Sequence, residues 1–455
     1  MNIDFIYLMK KTTAITAVLF SVSVLSCTSL QENTCQQNEK QNPKPQSYRI
    51  ELEDAINSLN DFIAQATKND DAISGKEIEN ILIIENPHVG SDSLTKAGAG
   101  VDENQYLLYV ANFKDNQGYA VLSADTRLPV DIYAITEYGN VTEDDIYADD
   151  SVGFSPARMV YLAASGHIPA VDTTNKDIVI DNGGEIPDND PMPDHPDGEW
   201  VITEWGPWYD NISYPKMVLT QWGQNSPYND LTGALYAGCT VVAVAQMMTY
   251  NCYPQSIDGV NIPFDVLRQM ETVSSNSIYA DSVAILYRDI YQDCGAKDYG
   301  ENGSLLWPKD VVPYLEKLGY TNVELHKNSS SFELDIVSHS IMDGYPVIVS
   351  ALNSDTGLWE AITGNANGHT WLIDGYIKQN RVGRKVGEET GKYYGNNFES
   401  REFVHCNWGW DGDHDGYFYP GIFSKNNPAP YNESQQQSQG GDNYNNFYRI
   451  ITYSL

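Results

Sequence analysis

The stretch LYAGCTVVAVAQMMTY, residues 235–250, puts Gly238-Cys239 at the head of an apolar run of helical length that stops before Asn251 and Pro254. The first turn of a helix carries unpaired N–H groups and a partial positive charge, so a cysteine placed there is biased toward thiolate. Gly238 leaves room for another backbone or a ligand to approach closely. Taken alone, the same residue also reads as a small buried hydrophobe, the commonest fate of a free cysteine. Other residues must decide between the two.

The second is His369, in NANGHTWLIDGY (365–376), at the head of a strand and just after Asn367-Gly368. A histidine there is held by the sheet while still facing a cleft. The third is VHCNWGWDGDHDGYF (404–418), in which Asn407 or Trp408 can orient and shield an imidazole, while Trp410 reads as a sheet-packing aromatic. The fourth is TQWGQNSPYND (220–230): the Gln224 amide ahead of the cysteine suits an oxyanion hole shared with the Cys239 backbone N–H, although an ordinary polar loop residue fits the same spacing.

Around these residues the texture changes along the chain. Helices are expected at 239–250, Tyr279–Cys294 (closed by Gly295) and Val311–Leu318, with Pro313 in the first turn of the last. Strands follow at 346–352, 369–377, 401–410 and 416–419. Helices first and an antiparallel sheet afterwards give an α+β class. Further upstream, Ile50 to Ala66 has an apolar side at helical spacing, and residues 105–123 read as a hairpin turning at Lys114–Gly118.

Residues 181–199 (DNGGEIPDNDPMPDHPDGE) contain seven Pro or Gly among many Asp and cannot build a core. The expected organisation is therefore a first domain at 49–180, an acidic linker at 181–200 with a processing site in or just after it, and a second domain at 201–455. At the start, Lys10-Lys11, an uncharged apolar run from Ala14 to Leu25 and Ser26-Cys27 read as an export signal too short to span a bilayer comfortably. Val24-Leu25-Ser26-Cys27 resembles a bacterial lipobox. Residues 1–27 then form the signal and 28–48 a polar tether, with a lipid anchor on Cys27 as the membrane contact. The location implied is the bacterial envelope, in the outer membrane, at the cell surface or in the periplasm, with release after processing. Simple secretion stays open.

The formal net charge is −35, and no cluster of cations suited to nucleic acid occurs. Six cysteines in 455 residues are too few for a disulfide scaffold. In DGDHDG (411–416) an EF-hand reading fails, because its twelfth position is Ile422. His405, Cys406 and His414 match no tetrahedral zinc spacing. No metal or cofactor is expected.

Together the four motifs resemble the streptopain family of bacterial cysteine peptidases, on the papain-like fold. They read Gln224, Pro227-Tyr228-Asn229, Gly238-Cys239 with Gln246, Gly368-His369, Asp374-Gly375-Tyr376, and Asn407-Trp408-Gly409-Trp410 with Gly412. Ala237 and Asn367 stand where the family has other small residues. NFKDNQGYAVLSADTRLPV (112–130) is similar to the family's inhibitory propeptide. The resemblance implies a two-subdomain peptidase, a helical lobe bearing Cys239 and an antiparallel lobe bearing His369, preceded by a smaller α+β prodomain. It implies an endopeptidase made as a zymogen, with protein or peptide substrates and its own prodomain as inhibitor. Cys239 is then the nucleophile, His369 the general base and acid, Gln224 the oxyanion donor, and Asn407 and Trp408 the groups that orient and shield His369. It also implies that residues 432–446 form a loop near the cleft. An amidase or peptidoglycan hydrolase with the same Cys-His pair, and a non-catalytic surface lipoprotein that binds protein, remain the alternatives.

Overall fold

The structure, a computed structural model, describes residues 48–66, 73–87, 104–147, 155–167, 200–328, 332–352, 368–387, 392–423 and 446–455. The expected signal and nearly all of the tether, the acidic linker and the 432–446 loop lie outside these residues.

Twelve strands of the described chain make one antiparallel sheet. In chain order they are β1 (Ile78–Glu85), β2 (Tyr106–Phe113), β3 (Tyr119–Ser123), β4 (Ile132–Thr136), β5 (Trp200–Trp205), β6 (Tyr209–Tyr214), β7 (Thr321–Asn328), β8 (Val347–Leu352), β9 (Gly368–Gly387), β10 (Tyr393–Asn407), β11 (Gly416–Phe418) and β12 (Asn446–Ser454). They run β1-β2-β3-β4-β11-β10-β9-β8-β12-β7, with β5 and β6 also pairing along the long β9. The helices are α1 (Leu52–Ala66), α2 (Glu143–Tyr147), α3 (Pro156–His167), α4 (Cys239–Asn251), α5 (Phe264–Leu267), α6 (Ala280–Asp293), α7 (Pro308–Leu318) and α8 (Leu334–Met342). The class is α+β, as the order of helical and strand patterns predicts.

Helix α4 is apolar all round, which suits an element buried on every side. Its Val241, Val244 and Met248 join a core with Ile348, Leu372 and Ile451 of the sheet and Leu286 and Ile290 of α6. This packing fixes the helix tip against β9. Helix α7 differs from expectation: it starts at Pro308, so Pro313 lies inside it and not in its first turn. Pro308 takes the first helical position, where a missing N–H costs nothing. The carbonyl of Lys309, four residues before Pro313, therefore has no N–H to receive within the helix.

Residues 45–455 form one compact unit, and the sheet does not stop at the linker. Strand β4 pairs with β11, Gly416 opposite Thr136 and Phe418 opposite Ala134. A Cβ on Gly416 would sit 2.3 Å from the carbonyl oxygen of Ile135, so only glycine lets the two backbones come this close. Phe62 of α1, fully buried, meets Phe403 edge-on at 4.8 Å, and Arg401 of β10 reaches across to Asp131 at 2.6 Å while lying over Trp208 at 4.3 Å.

Gly416→Ala is expected to cost about 1–3 kcal/mol through this overpacking. It should also speed proteolysis within residues 48–167, as followed by urea denaturation and timed digestion; unchanged values for both would rule out the close β4–β11 contact.

Candidate active site

Cys239 is the first residue of α4, and Gly238 before it has φ 94°. A Cβ on Gly238 would lie 2.7 Å from the Ser304 carbonyl oxygen, so glycine is required here by both backbone angle and space. The thiol is partly accessible. Burial pushes its pKa up from 9.0, although interactions with Thr370 and Thr240 pull it down. Desolvation thus outweighs those interactions and favours the thiol over the expected thiolate.

Thr370 is the link to the second group. Its hydroxyl is 2.9 Å from that of Thr240, which joins the head of α4 to β9 one residue past His369. His369 is 5% exposed and enclosed by indoles: Trp410 stacks on it at 4.5 Å between ring centroids, with Trp408 at 6.1 Å and Trp371 at 6.2 Å. Its Nε2–H donates to the Trp408 carbonyl oxygen at 2.9 Å. A carbonyl only accepts, so Nε2 carries the proton and Nδ1 is the basic nitrogen of the neutral ring. Burial lowers the His369 pKa to about 4, the Trp408 bond opposing it. Trp408 holds the ring through its main chain, which no side-chain pattern announces. Trp410 lies on the imidazole and lines a cleft, so its role exceeds the sheet packing read from sequence.

That cleft, of about 460 Å³, is lined by Gln224, Asn225, Tyr236, Glu301, Gly303, Gly409, Trp410 and Asp411. Gln224 is half-buried, and its carbonyl receives the Ala237 N–H two residues before Cys239. Asn407 is buried: its Nδ2 donates to the Thr220 carbonyl at 2.8 Å, and its Oδ1 accepts from Gln246 at 2.9 Å and from the Gly409 N–H at 3.3 Å. Asp415 takes the Trp408 N–H at 2.7 Å, and burial raises its pKa to about 8, so it is an acid at neutral pH.

Behind β9 and β10 lies a charge cluster that the sequence did not reveal. His405, read there only as an unsupported zinc ligand, donates through Nδ1 to Asp374 at 2.6 Å and through Nε2 to Glu137 at 3.3 Å. Lys216 reaches the other oxygen of Glu137 at 2.5 Å. Burial alone would lower His405, but the two carboxylates raise it to about 10. Burial alone would raise Glu137, but His405 and Lys216 hold it at about 2. Glu137 directly follows β4, so the cluster ties the first region to the second. Asp374 and His405 belong to the quoted motifs, but only the pairing of β9 with β10 shows that they face each other.

The sequence of residues 222–418 matches the peptidase C10 family. Two solved structures resemble the chain. One is a prointerpain A fragment from Prevotella intermedia, 20% identical, covering 76% of this chain and 94% of that one at a TM-score of 0.45. The other is the active interpain A cysteine protease of the same organism, 21% identical, covering 53% of this chain and 95% of that one at a TM-score of 0.36. No curated protein matches.

The buried cluster sets a pH window. The depressed pKa of Glu137 gives stability that is complete above its ordinary 4.5 and is lost as pH falls toward about 2. The raised pKa of His405 gives stability that is complete below its ordinary 6.5 and is lost as pH rises through about 10. Both act fully between 4.5 and 6.5. Breaking such a buried pair costs on the order of 3 kcal/mol, so Glu137→Gln should lower the urea midpoint most in this window and progressively less outside it. A deficit that does not vary with pH would show that charge is not what the cluster contributes.

Proposed function

We propose, on the premise that residues 222–418 belong to the peptidase C10 family and mark this chain as a cysteine-type peptidase, that it is an endopeptidase synthesised as a latent precursor. Cys239 is the nucleophile and His369 its base. The observation that carries the reading is the Thr240–Thr370 bond, which brings the helix tip bearing the sulfur against the strand bearing the imidazole.

The chemistry runs as follows. The Cys239 thiol gives its proton to His369, and the thiolate–imidazolium pair is the reactive form. The sulfur attacks the peptide carbonyl carbon, a C–S bond forms, and the carbonyl electron pair moves to oxygen. The Gln224 amide and the Cys239 N–H stabilise that oxyanion. Collapse breaks the C–N bond as His369 protonates the amine. Water then attacks the thioester, giving its proton to His369, and the C–S bond breaks to regenerate the thiol. Trp408 orients the imidazole through its carbonyl and shields it with its indole. Its neighbour Asn407 closes the same strand end.

Latency is supported by the protonation states. With the thiol raised and His369 lowered to about 4, both groups are neutral at pH 7, the unreactive combination. The first region also grips the turn behind His369: Glu137 N–H donates to the Asp415 carbonyl, and His414 N–H to that of Tyr138. Asp415 in turn holds Trp408. Residues 49–180 serve as the inhibitory domain, cleavage in or just after 181–200 releases them, and the turn then relaxes until thiol and imidazole ionise together. The signal at 1–27 directs export, and its lipobox marks Cys27 for attachment of a lipid by the host's modifying enzymes.

Two measurements test this reading. Cys239→Ala should lower casein cleavage by roughly four orders of magnitude and leave the first region uncleaved in the full-length chain; digestion at the wild-type rate would end the assignment. Labelled palmitate should enter the wild-type chain in a bacterial host and not Cys27→Ser; equal labelling would remove the anchor.

A further inference from the structure

Between β6 and α4 the chain runs as a strap without regular secondary structure, residues 217–224, that ends on Gln224. Two buried side chains from opposite sides fasten it. Asp374 of β9, the strand of His369, accepts the N–H groups of Met217 at 3.1 Å and Val218 at 2.7 Å. Gln246 of α4, the helix of Cys239, accepts through Oε1 the Thr220 hydroxyl at 3.0 Å and the Trp222 N–H at 3.0 Å. Its Nε2 donates to Asn407, whose own amide donates to the Thr220 carbonyl. Gln246 is fully buried and Asn407 nearly so. The Gln246 oxygen takes three donors, Asn407 Nδ2 at 3.4 Å being the third, the Asn407 oxygen takes two, and the donors that tie the pair to the strap stop two residues short of Gln224.

We propose that Gln246 and Asn407 are positioning residues for the oxyanion hole: together they set the strap, and so the Gln224 amide, against the Cys239 N–H. This rests on the peptidase reading and deepens it. It gives Asn407 a task on the oxyanion side of the site, distinct from orienting His369, which Trp408 does through its carbonyl. An oxyanion donor contributes mainly in the transition state, so a displaced one lowers kcat and leaves substrate binding nearly intact.

The test uses the full-length chain activated by limited proteolysis, with Gln246→Met and Gln246→Glu beside wild type. Gln246→Met fills the space but cannot bond Thr220, Trp222 or Asn407. It should lower kcat on a quenched-fluorescent casein peptide roughly 10–100-fold, with KM within about threefold. Affinity for a peptide aldehyde, whose thiohemiacetal oxygen occupies the same hole, should fall in parallel. Alkylation of Cys239 by iodoacetamide creates no oxyanion, so its rate and pH profile should match wild type within about threefold. Gln246→Glu restores both acceptor and donor only as the neutral acid. Its kcat should approach wild type at low pH and fall as the carboxyl ionises, adding an alkaline loss that wild type lacks. Unchanged kcat in Gln246→Met, or an alkylation profile that shifts with it, would overturn the proposal. If Gln246→Met does not fold, the Gln246→Glu pH profile decides alone, and a wild-type profile there overturns it. Activity retained by Cys239→Ala would sink the peptidase reading, whereas activity lost in Cys239→Ala but intact in both Gln246 variants would sink only this inference.

Discussion

One imidazolium buried between two carboxylates, Asp374–His405–Glu137, fixes how the parts of this protein meet. Each member comes from a different place: Asp374 from the strand that carries His369, His405 from the neighbouring strand, and Glu137 from the end of β4 in the first region. Buried ions are costly to desolvate, and apolar residues of equal volume often stabilise as well or better. The contribution particular to charge is register. A one-residue slip of β10 on β9 would turn His405 to the opposite face and strand three ionised groups in the interior. Because Asp374 also takes the N–H groups of Met217 and Val218, the same constraint reaches the strap that ends at Gln224.

The thiol and the imidazole obey the opposite rule. Desolvation is the largest influence on both: it outweighs the hydrogen bonds of Thr370 and Thr240 at the sulfur and of Trp408 at the ring, and favours the uncharged form of each. Two histidines thirty-six residues apart in sequence and both buried therefore differ greatly in basicity, one near 4 where desolvation dominates and one near 10 where Asp374 and Glu137 face the ring.

What could be read from sequence follows the same division. The head of α4 was legible because apolar length, Gly238 and Cys239 are local signals, and the hairpin of β2 and β3 because its turn residues are. The ladder of β9 with β10 runs well past the apolar motifs, through Lys378 to Lys385, where polar side chains give no period to detect. Strands β5 and β6 exist by pairing with that extension, and β7 and β12 by pairing with each other, so they answer to tertiary partners more than to local pattern. Pro313 and the apolar spacing from Val311 point to a first turn there, whereas Pro308 supplies it in the structure. Asn407 stands out as a residue type, but its bonds to Gln246 and Thr220 join positions far apart in the chain. The group that holds His369 is a main-chain carbonyl, to which side-chain identity contributes nothing.

The continuity of the sheet bears on what a released first region would leave behind. Strand β11 has β10 on one side and β4 on the other, so loss of β4 turns Gly416–Phe418 into an edge. Open edges invite pairing with other chains, and proteins limit this with short or irregular edge strands. Here the edge would be three residues long, begin on a glycine and follow directly on the turn that carries Asp411, Asp413 and Asp415. A strand that short offers few bonds to a stranger, yet it suffices for β4, because β4 brings Glu137 to His405 and Lys216 and lies beside Asp131, the partner of Arg401. The backbone pairing supplies contact, and the buried charges supply the selectivity for this one partner.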